Sequence, residues 1–492
     1  MGVEFQFSPD EELEGGNSLR LVKNFLWNAG YQLFIIIIPL ITIPYVTRVL
    51  GPTGVGVNAY TNSIVQYFAL IAGLGINIYG TREVAYTRNN RKLLSNTFWS
   101  LVFLRFITTL IVVFFYVLFI FKTSQYQIYY WAQIFVLLSI GFDISWFFQG
   151  IEEFRITVLR NTLVKLFSLV LIFVFVKTKS DTLLYIIILS MSQLFGFMTL
   201  WPYLRNRIDA PWKCSINIWA KLKPSIILLI PQIATQVYLQ LNKTMLGIYD
   251  GVASAGFYDN SDKIIKMLLA IVTATGTVML PYVSNSFSKG DKEAVNRALS
   301  ISMHIILVLA IPLAFGISSV SSAFTQVFFG PGFSEVGKLM SIESVVVILI
   351  GISNAIGVQY LLPTQQTSEY TISVISGSIL NVVLNFPLIY FFNTIGAVIS
   401  TVISELFVTV YQLKVVRNQV DVGALFKESG KYFCAALGMF VCVRLISQHL
   451  MISISALLIE SLAGVAIYSI VLFALRPQIL IGYIKSMRKR RE

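Results

Sequence analysis

Apolar runs long enough to cross a membrane dominate this chain, and only short connections separate them. A bilayer-spanning helix needs about 20 apolar residues, and fourteen runs reach that length. They predict spans at roughly 22–48, 58–80, 97–121, 127–149, 155–176, 182–204, 222–248, 256–284, 296–320, 338–361, 369–392, 394–416, 430–449 and 453–475. With 56% hydrophobic and 12% charged residues, the chain is too apolar for a soluble domain. We therefore expect an all-α polytopic membrane protein with 14 transmembrane helices.

The basic residues fall on alternate connections. They cluster within 82–92, 205–223, 289–297 and 414–431, whereas the other connections hold only Arg48, Lys122, Lys177, Lys179 and Lys338. Lysine and arginine are retained on the cytoplasmic side, so both termini are predicted to be cytoplasmic. Membrane topology also explains the net charge of +13, and no nucleic acid partner is expected.

Short motifs recur in order about two hundred residues apart. YTNS at 60–63 is echoed by YDNS at 258–261, and Pro39 and Arg48 are echoed by Pro231 and Lys243. Because six is an even number, duplicated six-helix halves form a parallel repeat, which places a substrate site between two bundles that rock against each other. The predicted divisions are a tail at 1–21, an N-lobe at 22–204, a linker at 205–221, a C-lobe at 222–417, helices 13 and 14 at 418–475 and a basic tail at 476–492.

Basic residues within the apolar runs are the main candidates for a binding site. An ionisable group at such depth costs at least ~2.5 kcal/mol and normally faces a bundle interior or a water-filled cavity. The predicted cationic cavity comprises Arg48, Arg82, Lys243, Lys263, Arg105 and Arg160. Lys165, Lys266 and Arg444 could instead extend to the interface. Because guanidinium groups bind phosphate through two parallel hydrogen bonds, the expected cargo is an anionic head group.

Acids and prolines in the same runs suggest how transport could be driven. Asp143 and Glu405 are candidates for coupling to a proton or a sodium ion, because a buried carboxylate can titrate or bind a hard cation. Pairing with the buried cations is the alternative role for these acids. Proline bends a helix, so Pro39, Pro44 and Pro231 are the predicted hinges. No metal or other cofactor is expected.

Motifs that would indicate an enzyme are weak in this sequence. GFSEVGKL at 332–339 lacks the Ser or Thr that follows lysine in a phosphate-binding loop and follows no strand. His304 and His449 have no acid-base partner in spacing, and Cys214, Cys434 and Cys442 have no metal-site spacing. The short connections also leave little room for a sugar-donor site, so we do not expect an enzyme of glycan assembly.

The N-terminal third carries a family resemblance. KNFLWN at 23–28, RVLGPTGVG at 48–56 and GLGINIYGTREVA at 73–85 resemble the signature of the polysaccharide-biosynthesis flippases, within the multidrug/oligosaccharidyl-lipid/polysaccharide exporter (MOP) superfamily. This resemblance implies two six-helix lobes around a cationic cavity, two extra C-terminal helices and alternating access. Arg48 and Arg82 lie within the matched signature.

The resemblance also implies a substrate and a place in the cell. The expected cargo is an undecaprenyl-pyrophosphate-linked oligosaccharide, flipped across the bacterial inner membrane for a capsule or similar surface polysaccharide. The expected partners are membrane lipids, a glycan polymerase and glycosyltransferases. A cation-coupled multidrug or metabolite exporter of the same superfamily is the alternative function.

Overall fold

The computed structural model describes residues 15–205 and 207–477, with side chains from position 37 onward except at 231, 234, 277 and 278. All regular secondary structure in this part of the chain is helical. The predicted tails at 1–21 and 476–492 lie largely outside the described residues, and so does the side chain of Pro231.

The first half of the chain contains seven α-helices joined by short turns. They are α1 Gly15–Gly73, α2 Ile76–Thr87, α3 Arg91–Lys122, α4 Gln127–Phe142, α5 Ser145–Gly150, α6 Phe154–Phe175 and α7 Thr182–Met198. We call this set the first half.

Ten further α-helices follow a linker that has two short 3-10 turns. They are α8 Ile218–Tyr249, α9 Val252–Thr273, α10 Thr275–Ser288, α11 Lys292–Phe328, α12 Ser334–Glu343, α13 Val345–Ile356, α14 Thr367–Val416, α15 Val422–Leu425, α16 Ser429–His449 and α17 Ile454–Ala474. Helices α8 to α14 are called the second half below.

Two of the longest helices are broken internally. Gly51 in α1 has φ 67° and ψ −179°, and Asn393 in α14 has φ 50° and ψ −130°. Positive φ suits glycine and is tolerated by asparagine. Each break separates two helices at the place where the apolar runs were predicted to meet.

The fold class predicted from the sequence is confirmed as an all-helical polytopic membrane fold. Among the described residues, ten helical segments are long and apolar enough to cross a membrane, or eleven when the bent pair in α8 counts as one span. Ile37–Thr87 and Thr367–Val416 each count once although they contain the breaks. The number of fourteen spans and the internal repeat stay predictions.

Ion pairs gather several basic connections at one end of the bundle. Arg88 lies 2.8 Å from Glu152, and Arg91 lies 2.9 Å from Asp209 in the linker. These pairs join the turn after α2 to the turn after α5 and to the linker. We call this end the basic end.

Hydrogen bonds attach the linker to the first turns of α3. The Trp99 indole donates to the Asp209 carbonyl at 2.8 Å, and the Asp209 amide donates to the Ser95 hydroxyl at 2.8 Å. The Asn217 amide donates to the Ser100 hydroxyl at 3.0 Å. The linker is therefore part of the packed basic end of the first half.

The C-terminal helices pack on α11. The Tyr468 hydroxyl of α17 donates to the Val308 carbonyl at 3.0 Å, and the Phe433 ring of α16 meets the Phe315 ring edge to face at 5.2 Å. Buried Tyr432 and Met439 of α16 belong to the same apolar core as α11. Helices α16 and α17 thus extend the second half laterally.

The two halves touch most closely at the end opposite the basic end. An added methyl group on Gly56 of α1 would lie 2.0 Å from the Val252 carbonyl oxygen, and one on Gly256 would lie 2.8 Å from the Gly56 Cα. Nearby, the hydroxyls of Ser63 and Thr244 are 2.8 Å apart. Backbone contact of this kind leaves no passage, so the halves are sealed against each other here.

Replacing Gly56 with Ala should weaken this seal. Overpacking costs about 1–3 kcal/mol, which lowers the ratio of closed to open molecules about 5- to 150-fold. Disulfide formation between Ser63→Cys and Thr244→Cys, in a chain whose three native cysteines are serine, measures the closed fraction.

Gly73→Ala is the matched control, because an added methyl group there meets no atom within 4 Å. Equal cross-linking of the two glycine variants would show that the Gly56 contact does not hold the halves together.

Candidate functional site

A cluster of three charged side chains lies on α8 and α9, and two of them, Lys243 and Asp259, are buried. Lys243 Nζ is 3.3 Å from one Asp259 carboxylate oxygen, and Lys263 Nζ is 2.5 Å from the other. Lys243 is 9% exposed and Asp259 is 5% exposed. Burying charge is unfavourable unless it is paired, and a single carboxylate serves two cations here. The three side chains together carry one net positive charge, and the Lys263 side chain, which is 45% exposed, remains accessible.

Tyr185 brings the first half to this cluster. It lies near the start of α7 and belongs, with Ile186, to the same apolar cluster as Val252, the first residue of α9. The cluster is thus positioned where α7 of the first half faces α9 of the second. Of the predicted cavity residues, Lys243 and Lys263 are the two that the structure places together.

Asp259 is the member of this cluster that the sequence analysis missed. It lies within the YDNS motif, which was read only as evidence for a repeat. Its spacing of four residues from Lys263 was the available signal, because residues i and i+4 are neighbours on a helix. Asp262 and Lys266, 2.7 Å apart, follow the same spacing.

Arg105 and Asp143 form a separate buried ion pair within the first half. Arg105 Nη2 is 3.3 Å from the Asp143 carboxylate, and Nη1 donates to the Asn77 amide oxygen at 2.9 Å. The Ser145 amide also donates to Asp143, at 2.9 Å. Asp143 therefore pairs with a buried cation, which was the alternative to a role in ion coupling.

Arg48 and Arg82 lie apart from the Lys243 cluster. Arg48 is exposed near the sealed end, where its guanidinium donates to the Val327 carbonyl of α11. Arg82 is exposed on α2, with its guanidinium carbon 5.5 Å from the centre of the Tyr79 ring. Their predicted role in substrate binding stays a prediction.

Arg160 lies on a groove between α6 and α7. Its guanidinium carbon is 4.5 Å from the centre of the Phe197 ring, a distance typical of a cation–π contact. The groove has a volume of about 910 Å³, and Arg155 also lines it. Arg160 therefore belongs to an apolar cavity different from the Lys243 cluster.

Glu405 and Glu343 lie in the interior of the second half. The Tyr238 hydroxyl donates to Glu405, and the Ser261 hydroxyl donates to Glu343 at 2.5 Å. Among the described residues, no basic side chain forms an ion pair with either acid. Glu405 also lines a cavity of about 150 Å³ with Ser353, Asn354 and Gln412.

The predicted hinges correspond only loosely to the breaks in the helices. Helix α1 continues through Pro39 and Pro44, and its backbone leaves helical geometry at Gly51 instead. Helix α8 bends by 59° between Ile218–Ile230 and Thr235–Tyr249, which brackets position 231. Whether the protein hinges at these prolines stays a prediction.

Comparison with known proteins identifies the family. The family model described as "Polysaccharide biosynthesis protein" matches residues 21–287. A putative O-antigen transporter of Escherichia coli (strain K12) is 25% identical over 412 residues, which cover 82% of this chain and 98% of that protein. A probable low-salt glycan biosynthesis flippase, Agl15 of Haloferax volcanii, is 22% identical over 50% of this chain and 52% of its own length.

Solved structures support the same fold. The lipid II flippase MurJ in an inward closed conformation superposes with a TM-score of 0.73 at 15% identity, covering 93% of this chain and all of that chain. An inward-facing multidrug resistance MATE transporter superposes with a TM-score of 0.60 at 13% identity, covering 79% and 95%. At these identities the likeness concerns the fold alone.

The chain belongs to the polysaccharide biosynthesis protein family. The relatives that it matches are named as transporters and flippases. The resemblance seen in the sequence is confirmed, and with it the expectation of a transmembrane transport protein.

Replacing Asp259 with Asn should destabilise the protein strongly. Removing one partner of a buried ion pair costs about 3–5 kcal/mol, because it leaves buried charge uncompensated. Adding Lys243→Met should restore part of the loss. Thermal unfolding in detergent measures both effects.

The control is Glu293→Gln, which removes an exposed ion pair with Arg297 worth about 0.3–0.5 kcal/mol. If Asp259→Asn melts at the same temperature as this control, the cluster is not a buried charge network.

Proposed function

We propose that the protein flips an undecaprenyl-pyrophosphate-linked oligosaccharide repeat unit across the bacterial cytoplasmic membrane, for capsule or other surface polysaccharide assembly. Both termini face the cytoplasm in this proposal, so the basic end is the cytoplasmic end. The lipid-linked sugar enters there and leaves at the opposite end when the halves rock apart.

The net positive cluster of Lys243, Asp259 and Lys263 carries this proposal. A cluster with two cations and one carboxylate attracts an anion, and the exposed Lys263 ammonium can replace part of the hydration of a diphosphate. The position of Tyr185 places the cluster beside the first half. Movement of the halves therefore changes its surroundings, as alternating access requires.

The contacts around Gly56 and Gly256 close one end of the interface between the halves. The halves also meet towards the basic end, where an added methyl group on Gly75 would lie 2.5 Å from the Ser225 carbonyl oxygen and Lys221 pairs with Glu83 at 2.8 Å. Entry of the substrate from the basic end therefore requires those contacts to separate first. Opening of the seal then releases the sugar on the far side, while the lipid tail stays in the bilayer.

Glu405 is the proposed coupling acid, in preference to Asp143. Asp143 is compensated by Arg105 at 3.3 Å, so a change in its protonation would break a buried ion pair. Glu405 instead accepts a hydrogen bond from the Tyr238 hydroxyl and borders a polar cavity. A proton or a sodium ion can bind there without disrupting an ion pair.

A cation-coupled multidrug or metabolite exporter is the second candidate, and the fold it shares with a MATE transporter favours it. The charge of the Lys243 cluster argues against cationic drugs, because a net positive site repels them. Drug resistance on overexpression, abolished by Asp143→Asn in protein that still folds, would support this second function.

Replacing Arg48, Arg82 and Lys243 together with Gln should stop production of the surface glycan while folded protein still accumulates in the membrane. Loss of the cations removes the attraction for the diphosphate. The measurement is surface glycan in a deletion strain of the source organism complemented with the variant, with folded protein quantified by size-exclusion chromatography.

The matched control replaces Arg88, Arg297 and Lys338 with Gln, which removes three cations from surface ion pairs. Full glycan production by the first triple variant would exclude the proposed site.

A further inference from the structure

The groove between α6 and α7 combines a cationic mouth with a long apolar floor. Arg155 and Arg160 are five residues apart, about 7.5 Å along the helix axis, and both line the groove near the start of α6, at the basic end. Beyond them, Leu163, Phe167 and Leu171 continue along the same side of the helix. The span from 155 to 171 is about 24 Å at 1.5 Å per residue. This exceeds one leaflet of a hydrocarbon core that is about 30 Å thick.

The groove is built by close packing at Gly196. An added methyl group at Gly196 would lie 2.9 Å from Val164 and 3.4 Å from Arg160 Nη1. The missing side chain lets α7 approach α6 and lets the Arg160 guanidinium lie over the Phe197 ring. When a guanidinium stacks on an aromatic ring, its N–H groups lie in a plane parallel to the ring and point away from the stack. Arginine uses these in-plane N–H groups when it binds a phosphate bidentately.

The apolar part is open enough to receive a chain. Leu163, Phe167 and Phe195 are 56%, 62% and 59% exposed although they line a cavity of about 910 Å³. The far end of the groove is lined by Ile187 and Ile188 of α7. The groove therefore runs along α6 and α7 from the basic end into the depth of the membrane-spanning region.

We propose that this groove binds the isoprenoid chain of a polyprenyl diphosphate, with the diphosphate at Arg155 and Arg160. The inference rests on the proposed function and locates the substrate's first position on the protein. Charge complementarity selects an anionic lipid, and the length of the groove selects a long hydrocarbon chain.

Photocross-linking tests the groove directly. Benzoylphenylalanine at Leu163 in the full-length protein, reconstituted in phosphatidylcholine nanodiscs, is irradiated with radiolabelled undecaprenyl diphosphate. We expect at least tenfold more label than with benzoylphenylalanine at Phe114, which is 60% exposed on α3 and outside the groove. Unlabelled undecaprenyl diphosphate should compete, whereas phosphatidylglycerol and inorganic pyrophosphate should not.

Variants of the arginines test the head-group site. Arg155→Gln with Arg160→Gln should reduce labelling at Leu163 about tenfold, and Arg155→Lys with Arg160→Lys should recover part of it while keeping the charge. If the double glutamine variant does not fold, labelling of the double lysine variant still tests bidentate binding. That variant keeps both positive charges but lacks the guanidinium geometry. Undiminished labelling in the folded variants would overturn the assignment.

Two results would overturn the proposal as a whole: equal labelling at Leu163 and Phe114, or equally effective competition by phosphatidylglycerol, which would make the groove a site for bulk lipid. Surface glycan production by the wild-type chain in the deletion strain separates this failure from failure of the proposed function. If the glycan is made while Leu163 stays unlabelled, the groove assignment fails and the flippase function stands.

Discussion

Backbone contact between Gly56 and Gly256 is the constraint on which the rest of the arrangement depends. Because no side chain separates α1 from α9 at this point, the two halves meet closely at the end opposite the basic connections, and Gly75 allows a second close approach of the halves, to α8, towards the basic end. The α1 residues Thr47 and Arg48 add to this contact by donating to the carbonyls of Phe329 and Val327. Contacts of this kind are strong when aligned and are lost together when the halves separate, as a two-state gate requires.

The buried charges divide into a structural pair and a cluster suited to a ligand. Arg105 and Asp143 compensate each other inside the first half, and Asn77 and Ser145 add one hydrogen bond to each. Lys243, Asp259 and Lys263 instead carry one net positive charge beside the interface. A membrane interior tolerates such a charge where it faces a cavity. The net charge of a cluster is therefore a better guide to the substrate site than the depth of its residues in the membrane.

The sequence was sufficient for the fold class and for the break at Gly51, because apolar run length and a Gly-Pro turn are local signals. The i,i+4 pair of Asp259 and Lys263 was also local and could have been found. Arg105 and Asp143 are 38 residues apart, and their pairing depends on how α3 packs on the end of α4. The α6–α7 groove depends on the absence of a side chain at Gly196, whose neighbours Val164 and Arg160 are more than thirty residues away in the chain. Such contacts follow from tertiary packing, which periodicity does not encode.

The central claim is that the chain moves an anionic lipid-linked sugar between leaflets, and its most direct test is leaflet exchange in proteoliposomes. Purified protein is reconstituted with an undecaprenyl-pyrophosphate-linked oligosaccharide from the source organism, and the sugar exposed on the outer leaflet is followed over time by an impermeant glycosidase. The account predicts that the protected fraction becomes accessible much faster than in protein-free vesicles. A rate equal to that of protein-free vesicles, with folded protein present, would contradict it.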